Sequence, residues 1–251
     1  MRLINLGVQY VISVVFIVQM YVVMALMALF FTPFALFSQK WAFRAVHTYT
    51  GWVRWTADWM LDLRSEIRGP EPTGEVLIAS KHQSFFDIIL IVNAVARPKF
   101  IMKKEIVRTP IVGFYAKRIG CVSVDRGKRS MAIRRMVEGV KSGAMLPGQL
   151  IIFPQGTRVA AGAYRPYKIG TAVLSRETGQ DCIPAATNVG VFWPRHGILR
   201  KPGLAVVEFL PPIAPGGTPE AFMAKLEAVV EKHSDRLMAE AGFQVKGNAA
   251  P

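Results

Sequence analysis

The chain has 251 residues, 51% of them hydrophobic, and 31 Lys and Arg against 17 Asp and Glu, for a net charge of +14. That length allows one α/β domain with an appendage rather than two full domains, and the apolar content excludes a disordered chain. Two cysteines, Cys121 and Cys182, exclude a disulfide-stapled secreted module and leave no zinc quartet.

Leu3 to Gln39 carries no charged residue, and Val11–Phe37 is apolar except for Ser13, Gln19 and Thr32. As a helix those residues span roughly 40 Å against a bilayer core of roughly 30 Å, too long for the apolar part of a cleaved signal peptide. Pro33 is expected to end or turn the helix. The stretch Lys40–Leu63 follows with Trp41, Phe43, Tyr49, Trp52, Trp55 and Trp59 among Arg44, His47 and Arg54, a composition suited to the headgroup level. Residues 1–63 are thus expected to anchor the chain, as a spanning helix with an interfacial one or as a hairpin in one leaflet. Basic residues after the apolar run, against Arg2 alone before it, place the following domain on the cytoplasmic side of the inner membrane.

From residue 64 to the end, short apolar runs alternate with helical patterns, which predicts an α/β domain. Expected strands are Glu75–Ala79, Lys99–Met102, Cys121–Val124, Gln149–Phe153, Cys182–Asn188 and Leu204–Leu210. Expected helices are Phe86–Val95, Pro110–Arg118, Arg129–Ser142 and Ile169–Glu177, with a terminal helix capped by Thr218, led by Pro219 and stopped at Gly242. The charge is local: residues 97–141 carry a net +10 and 142–201 a net +5, while 1–96 hold +1 and 202–251 hold −2. Basic residues built into a folded region, with the aromatic residues clustered elsewhere, fit anionic lipid and not nucleic acid.

Two stretches carry chemistry. After the strand Glu75–Ala79 comes Lys-His-Gln-Ser-Phe-Phe-Asp, residues 81–87. A loop entering a helix there can bring Asp87 to one imidazole nitrogen of His82, fixing the tautomer and leaving the other nitrogen to accept a proton. No G-x-S-x-G elbow surrounds Ser84 or any other serine. A base without an enzyme nucleophile suggests that a substrate hydroxyl is the nucleophile. The second stretch is Phe153-Pro-Gln-Gly-Thr-Arg158. Gly156 lets backbone approach a ligand, Thr157 offers a hydroxyl and Arg158 a planar fork suited to phosphate. Arg165, Lys168, Arg195, Arg200, Lys201, Lys103, Lys104 and Arg126 extend the basic zone. No P-loop, G-x-G-x-x-G, H-E-x-x-H or C-x-x-C is present, and both cysteines sit in apolar strands as core residues.

These stretches, in this order and about 70 residues apart, resemble the glycerolipid acyltransferase family, and within it the bacterial 1-acyl-sn-glycerol-3-phosphate acyltransferases. The resemblance covers roughly 65–215. His82 to Asp87 matches the family's His, four residues, Asp; Gly120 to Arg126 its Gly, strand and Arg; Phe153–Arg158 its Phe-Pro-Glu-Gly-Thr-Arg; Ile183-Pro184-Ala185 its apolar strand with Pro; and Lys103–Gly113 its stretch between the first two motifs. Gln155 stands where the family has Glu.

The resemblance implies a mixed sheet flanked by helices, of the glycerolphosphate acyltransferase type, and acyl transfer from acyl-CoA or acyl-carrier protein to the sn-2 hydroxyl of lysophosphatidic acid. His82 would be the base and Asp87 its orienter. Gly156, Thr157, Arg158, Arg126 and one of Lys103 or Lys104 would hold the phosphate, with no cofactor or metal. A Gln at 155 keeps the size and one acceptor but loses the charge, and activity is expected to persist. The alternatives are acylation of another lysolipid, such as lyso-ornithine lipid, and a non-catalytic protein bound to anionic membranes.

Overall fold

The computed structural model describes residues 5–124, 137–138 and 147–244. Two long helices, α1 (Leu6–Phe37) and α2 (Gln39–Leu61), precede strand β1 (Leu63–Arg68). Then come β2 (Leu77–Ser80), α3 (Phe86–Ala94), β3 (Pro98–Lys103), the one-turn α4 (Lys104–Val107), α5 (Pro110–Arg118) and β4 (Val122–Val124). The chain continues through β5 (Gln149–Ile152), α6 (Gly170–Thr178), β6 (Cys182–Thr187), β7 (Gly203–Phe209) and α7 (Pro219–Glu240). The expected helix at Arg129–Ser142 lies outside the described residues, apart from helical Val137 and Glu138.

The strands form one mixed sheet in the order β1-β7-β6-β2-β5-β3-β4, with β6 and β7 antiparallel and every other pair parallel. This is the expected α/β class. Both faces are covered, so the central strands are mostly apolar and buried at nearly every position. Ile78 and Ile151 point to the core shared with α3, while Leu77, Ala79, Leu150 and Ile152 point to the core under α6 and α7. The strand absent from the sequence reading is β1: Leu-Arg-Ser-Glu-Ile-Arg is too charged to look like a buried strand, and it is an edge strand beside β7.

The N-terminal helices share the apolar core of the sheet. Phe16 and Met20 of α1 and Val53, Ala57 and Leu61 of α2 belong to the same buried cluster as Ile78, Phe86, Leu90 and Phe209. Helix α1 runs through Pro33 and ends at Phe37, four residues later than a stop at the proline would place it. It packs antiparallel to α2, with Gln19 beside Trp52 and Thr56, and Phe31 beside Trp41. Among the described residues α1 is the one helix long and apolar enough to cross a membrane. Its outer side exposes Leu6, Val11, Val18, Leu26, Leu29 and Phe37, and α2 exposes Trp55 and Trp59. Apolar surface on this scale marks a membrane-associated protein.

The polar interruptions in α1 are docking points. Gln9 Nε2 donates to the Arg200 carbonyl at 2.7 Å, and the Ser13 hydroxyl accepts from the Arg200 amide at 3.0 Å. Gln19 joins α2 through Trp52 Nε1 and Thr56, and Thr32 meets the Tyr115 hydroxyl of α5 at 3.2 Å. Gln9 and Ser13 are buried, so deleting either leaves an unpaired group on Arg200. Gln9→Leu and Ser13→Ala should each destabilise the detergent-solubilised protein by about 1–3 kcal/mol, read as a lower Tm; Tm values equal to wild type would show that these contacts do not hold the helix to the sheet domain.

Candidate active site

Strand β2 lies at the topological switch of the sheet. Its parallel neighbours are β5 on one side and β6 on the other, so the loops leaving all three strands meet at one edge. Ligands of α/β sheets bind in such a crevice. The loop after β2 carries His82 and that after β5 carries Phe153–Arg158. Because β7 runs antiparallel to β6, the segment 188–202 between them lies at the same edge.

Asp87, fully buried in the first turn of α3, organises the first loop. Its Oδ2 accepts from the backbone amides of Gln83 at 2.8 Å and Ser84 at 2.7 Å. Its Oδ1 lies 3.0 Å from His82 Nδ1. A carboxylate only accepts, so Nδ1 carries the proton and Nε2 is the acceptor nitrogen. The imidazole stacks on Phe153 with ring centroids 3.9 Å apart and 19° between planes, and Phe100 continues the stack at 6.4 Å. The His82 side chain remains 12% exposed. It is therefore held on one nitrogen and one ring face without being fully enclosed.

The neighbouring residues are fixed from three directions. The Lys81 amide donates to Ala185 of β6 at 3.1 Å, and its buried ammonium pairs with Glu231 of α7, which also accepts from the Tyr167 hydroxyl. Gln83 Oε1 accepts from the Gly190 amide at 2.9 Å; a side chain at Gly190 would collide with Gln83 at 2.8 Å, so that position must be glycine. The Val159 amide donates to the His82 carbonyl at 2.7 Å, pinning the second loop to the first. The Ser84 hydroxyl accepts from the Phe86 amide, a helix-start contact. Burial pushes the Cys121 thiol up to about 11 and Cys182 to about 12, so neither is a thiolate near neutral pH.

In the second loop Gly156 adopts φ +69°, and a Cβ there would lie 2.5 Å from Lys168 Nζ. Thr157 and Arg158 are partly exposed beside it. Lys104 is exposed at the start of α4, just after β3, on the same edge of the sheet. The backbone of Lys103 ends β3, its side chain lies outside the described set, and Arg126 lies outside the described residues altogether. The structure thus brings together His82, Asp87, Gly156, Thr157 and Arg158. The sequence motifs did not disclose the Phe153 ring over His82 or the crossing of Arg158 with Arg195. Both need the juxtaposition of separate loops, which no local pattern encodes.

Among known proteins, the family model described as Acyltransferase matches residues 64–188. A 1-acyl-sn-glycerol-3-phosphate acyltransferase of Pseudomonas aeruginosa is 26% identical over 220 residues, covering 85% of this chain and 84% of that protein. A chloroplastic 1-acyl-sn-glycerol-3-phosphate acyltransferase of Brassica napus is 30% identical over 154 residues, or 57% of this chain, which spans 44% of that longer protein. The crystal structure of the 1-acyl-sn-glycerophosphate (LPA) acyltransferase PlsC from Thermotoga maritima shares the fold, with a TM-score of 0.77, 21% identity and coverage of 92% of this chain and 98% of that one. The chain belongs to the acyltransferase family.

Gln155, the departure from the motif, is fully buried. Its Nε2 donates to the Arg165 carbonyl at 3.3 Å, and its Oε1 has no hydrogen-bond partner among the described residues. A glutamate in the same position would turn a carboxylate oxygen toward that carbonyl and bury a charge. Gln155→Glu should lower stability by about 1–3 kcal/mol with no gain in turnover over the active wild type. Activity appearing only in the Glu variant would show that the charge is required.

Proposed function

We propose that the chain is a 1-acylglycerol-3-phosphate O-acyltransferase in which His82 acts as general base on the acceptor alcohol. The observation that carries this is the His82–Asp87 arrangement: Nδ1 is committed to a buried carboxylate, while the His82 side chain keeps some exposure at the edge of the sheet where the loops meet. In the reaction Nε2 takes the proton of the sn-2 hydroxyl of lysophosphatidic acid. The oxygen attacks the thioester carbonyl of the donor and forms a tetrahedral oxyanion. Collapse breaks the C–S bond, the thiolate recovers the proton from the imidazolium, and phosphatidic acid and the free thiol leave. Asp87 stabilises the transient imidazolium, as in a catalytic triad that lacks its serine.

The names of the relatives in Pseudomonas and Brassica support this acceptor. The donor is acyl-CoA or acyl-carrier protein, whose phosphates and acidic surface suit the positive charge of 97–201. Gly156, Thr157, Arg158, one of Lys103 or Lys104, and Arg126 hold the phosphate of the acceptor. Residues 1–63 are the membrane-anchoring part and 64–251 the catalytic part. The basic residues Lys40, Arg44 and Arg54 following the apolar run put the catalytic edge on the cytoplasmic face, among anionic lipids.

Kinetics with purified protein test the proposal. His82→Ala should lower kcat/KM roughly 10²–10⁴-fold, the span of general-base catalysis, and Asp87→Asn should also be severely impaired because an amide can favour the wrong tautomer. A lyso-ornithine lipid arm asks whether the acceptor needs phosphate. Equal rates for His82→Ala and wild type would overturn the catalytic assignment.

A further inference from the structure

Arg158 and Arg195 cross at the catalytic edge. Arg195 Nη1 donates to the Arg158 carbonyl at 2.9 Å, and Arg158 Nη1 lies 3.5 Å from the Arg195 carbonyl. Each guanidinium therefore rests on the backbone of the other, and two positive charges are held together. Among the described residues no carboxylate pairs with either of them. The peptide unit joining Arg158 to Val159 links this pair to the base: its N–H is bonded to the His82 carbonyl and its C=O to Arg195. One peptide group thus lies between the His82 backbone and the Arg195 guanidinium.

The segment bearing Arg195 is anchored at both ends. The Trp193 amide donates to the Val189 carbonyl at 2.9 Å and the Lys201 amide to Phe192 at 2.8 Å. Arg200 Nη1 donates to the carbonyls of Gly197 and Ile198 at 3.0 Å, while its guanidinium sits 4.4 Å over the Trp193 ring. The Arg200 backbone is fastened to Gln9 and Ser13 of α1. Burial pulls this guanidinium down to about 10, still far enough above neutrality to stay charged. Arg200 is thus a structural cation, whereas Arg195 is exposed and presents its remaining donors to solvent. Two guanidiniums without an acid are a recognition element for a multiply charged oxyanion.

We infer that Arg195 is a phosphate-binding residue of the active site, acting with Arg158 on a phosphate carried by one of the two substrates. This rests on the acyl-transfer reading for the identity of the ligands but not for its test, because binding is measured without turnover. Full-length protein in detergent is titrated with lysophosphatidic acid, with coenzyme A and with monoacylglycerol, the phosphate-free control, in wild type, Arg195→Ala and Arg195→Lys. Arg195→Ala should bind one phosphate ligand roughly tenfold more weakly, the size of one charge-assisted hydrogen bond. Arg195→Lys should recover part of the loss, and monoacylglycerol affinity should not change between the proteins. A loss confined to lysophosphatidic acid assigns the site to the acceptor; a loss confined to coenzyme A assigns it to the donor. Unchanged affinity for both phosphate ligands, or an equal loss for monoacylglycerol, overturns the inference. Failure of the acyltransferase reading would appear separately, as wild type without acyl transfer or His82→Ala with full activity.

Discussion

The site depends on where one buried carboxylate directs its lone pairs. Asp87 takes two backbone amides on one oxygen and an imidazole nitrogen on the other. The amide bonds shape the turn between β2 and α3, so the interaction that folds the loop also sets the tautomer of His82. A buried carboxylate with fewer partners would be costly; here three donors compensate its desolvation. Phe153 covers one face of the imidazole and Val159 holds its backbone. His82 is thus placed by the start of the helix that follows it and by one loop about 70 positions further along the chain.

The same edge is tied to the N-terminal helices. Loop 188–202 closes over α1 through Arg200, whose backbone engages Gln9 and Ser13. Trp193 packs between Phe16 of α1 and Phe86 of α3, the residue before Asp87. The helix with the apolar outer surface is therefore mechanically continuous with the catalytic loops.

Much of this was legible in the sequence, for physical reasons that differ by element. Strands β2, β5 and β6 are buried on both faces and read as short apolar runs. Helix α7 was announced by the Thr218 cap and Pro219, and the Thr218 hydroxyl does accept from the Ala221 amide. Strand β1 escaped notice because an edge strand can be charged, and α1 runs past Pro33 because packing against α2 and α5 overrides a local break. At the site, His82, Asp87 and the glycine turn were visible because their spacing is local. The stack of Phe153, the clamp of Gln83 on Gly190 and the crossing of Arg158 with Arg195 were not, since they join loops 71, 107 and 37 positions apart. Ser13 reads as an interruption of an apolar run because its partner, the Arg200 amide, lies 187 positions away.

The central claim is that the enzyme supplies a base and no nucleophile, so the acceptor oxygen attacks the thioester directly. Incubation of the purified protein with radiolabelled acyl-CoA in the absence of acceptor, followed by denaturation and recovery of the polypeptide, tests this directly. The account predicts no covalently bound label, and labelled phosphatidic acid once lysophosphatidic acid is added. Stoichiometric acylation of the protein, chased into product by the acceptor, would contradict it.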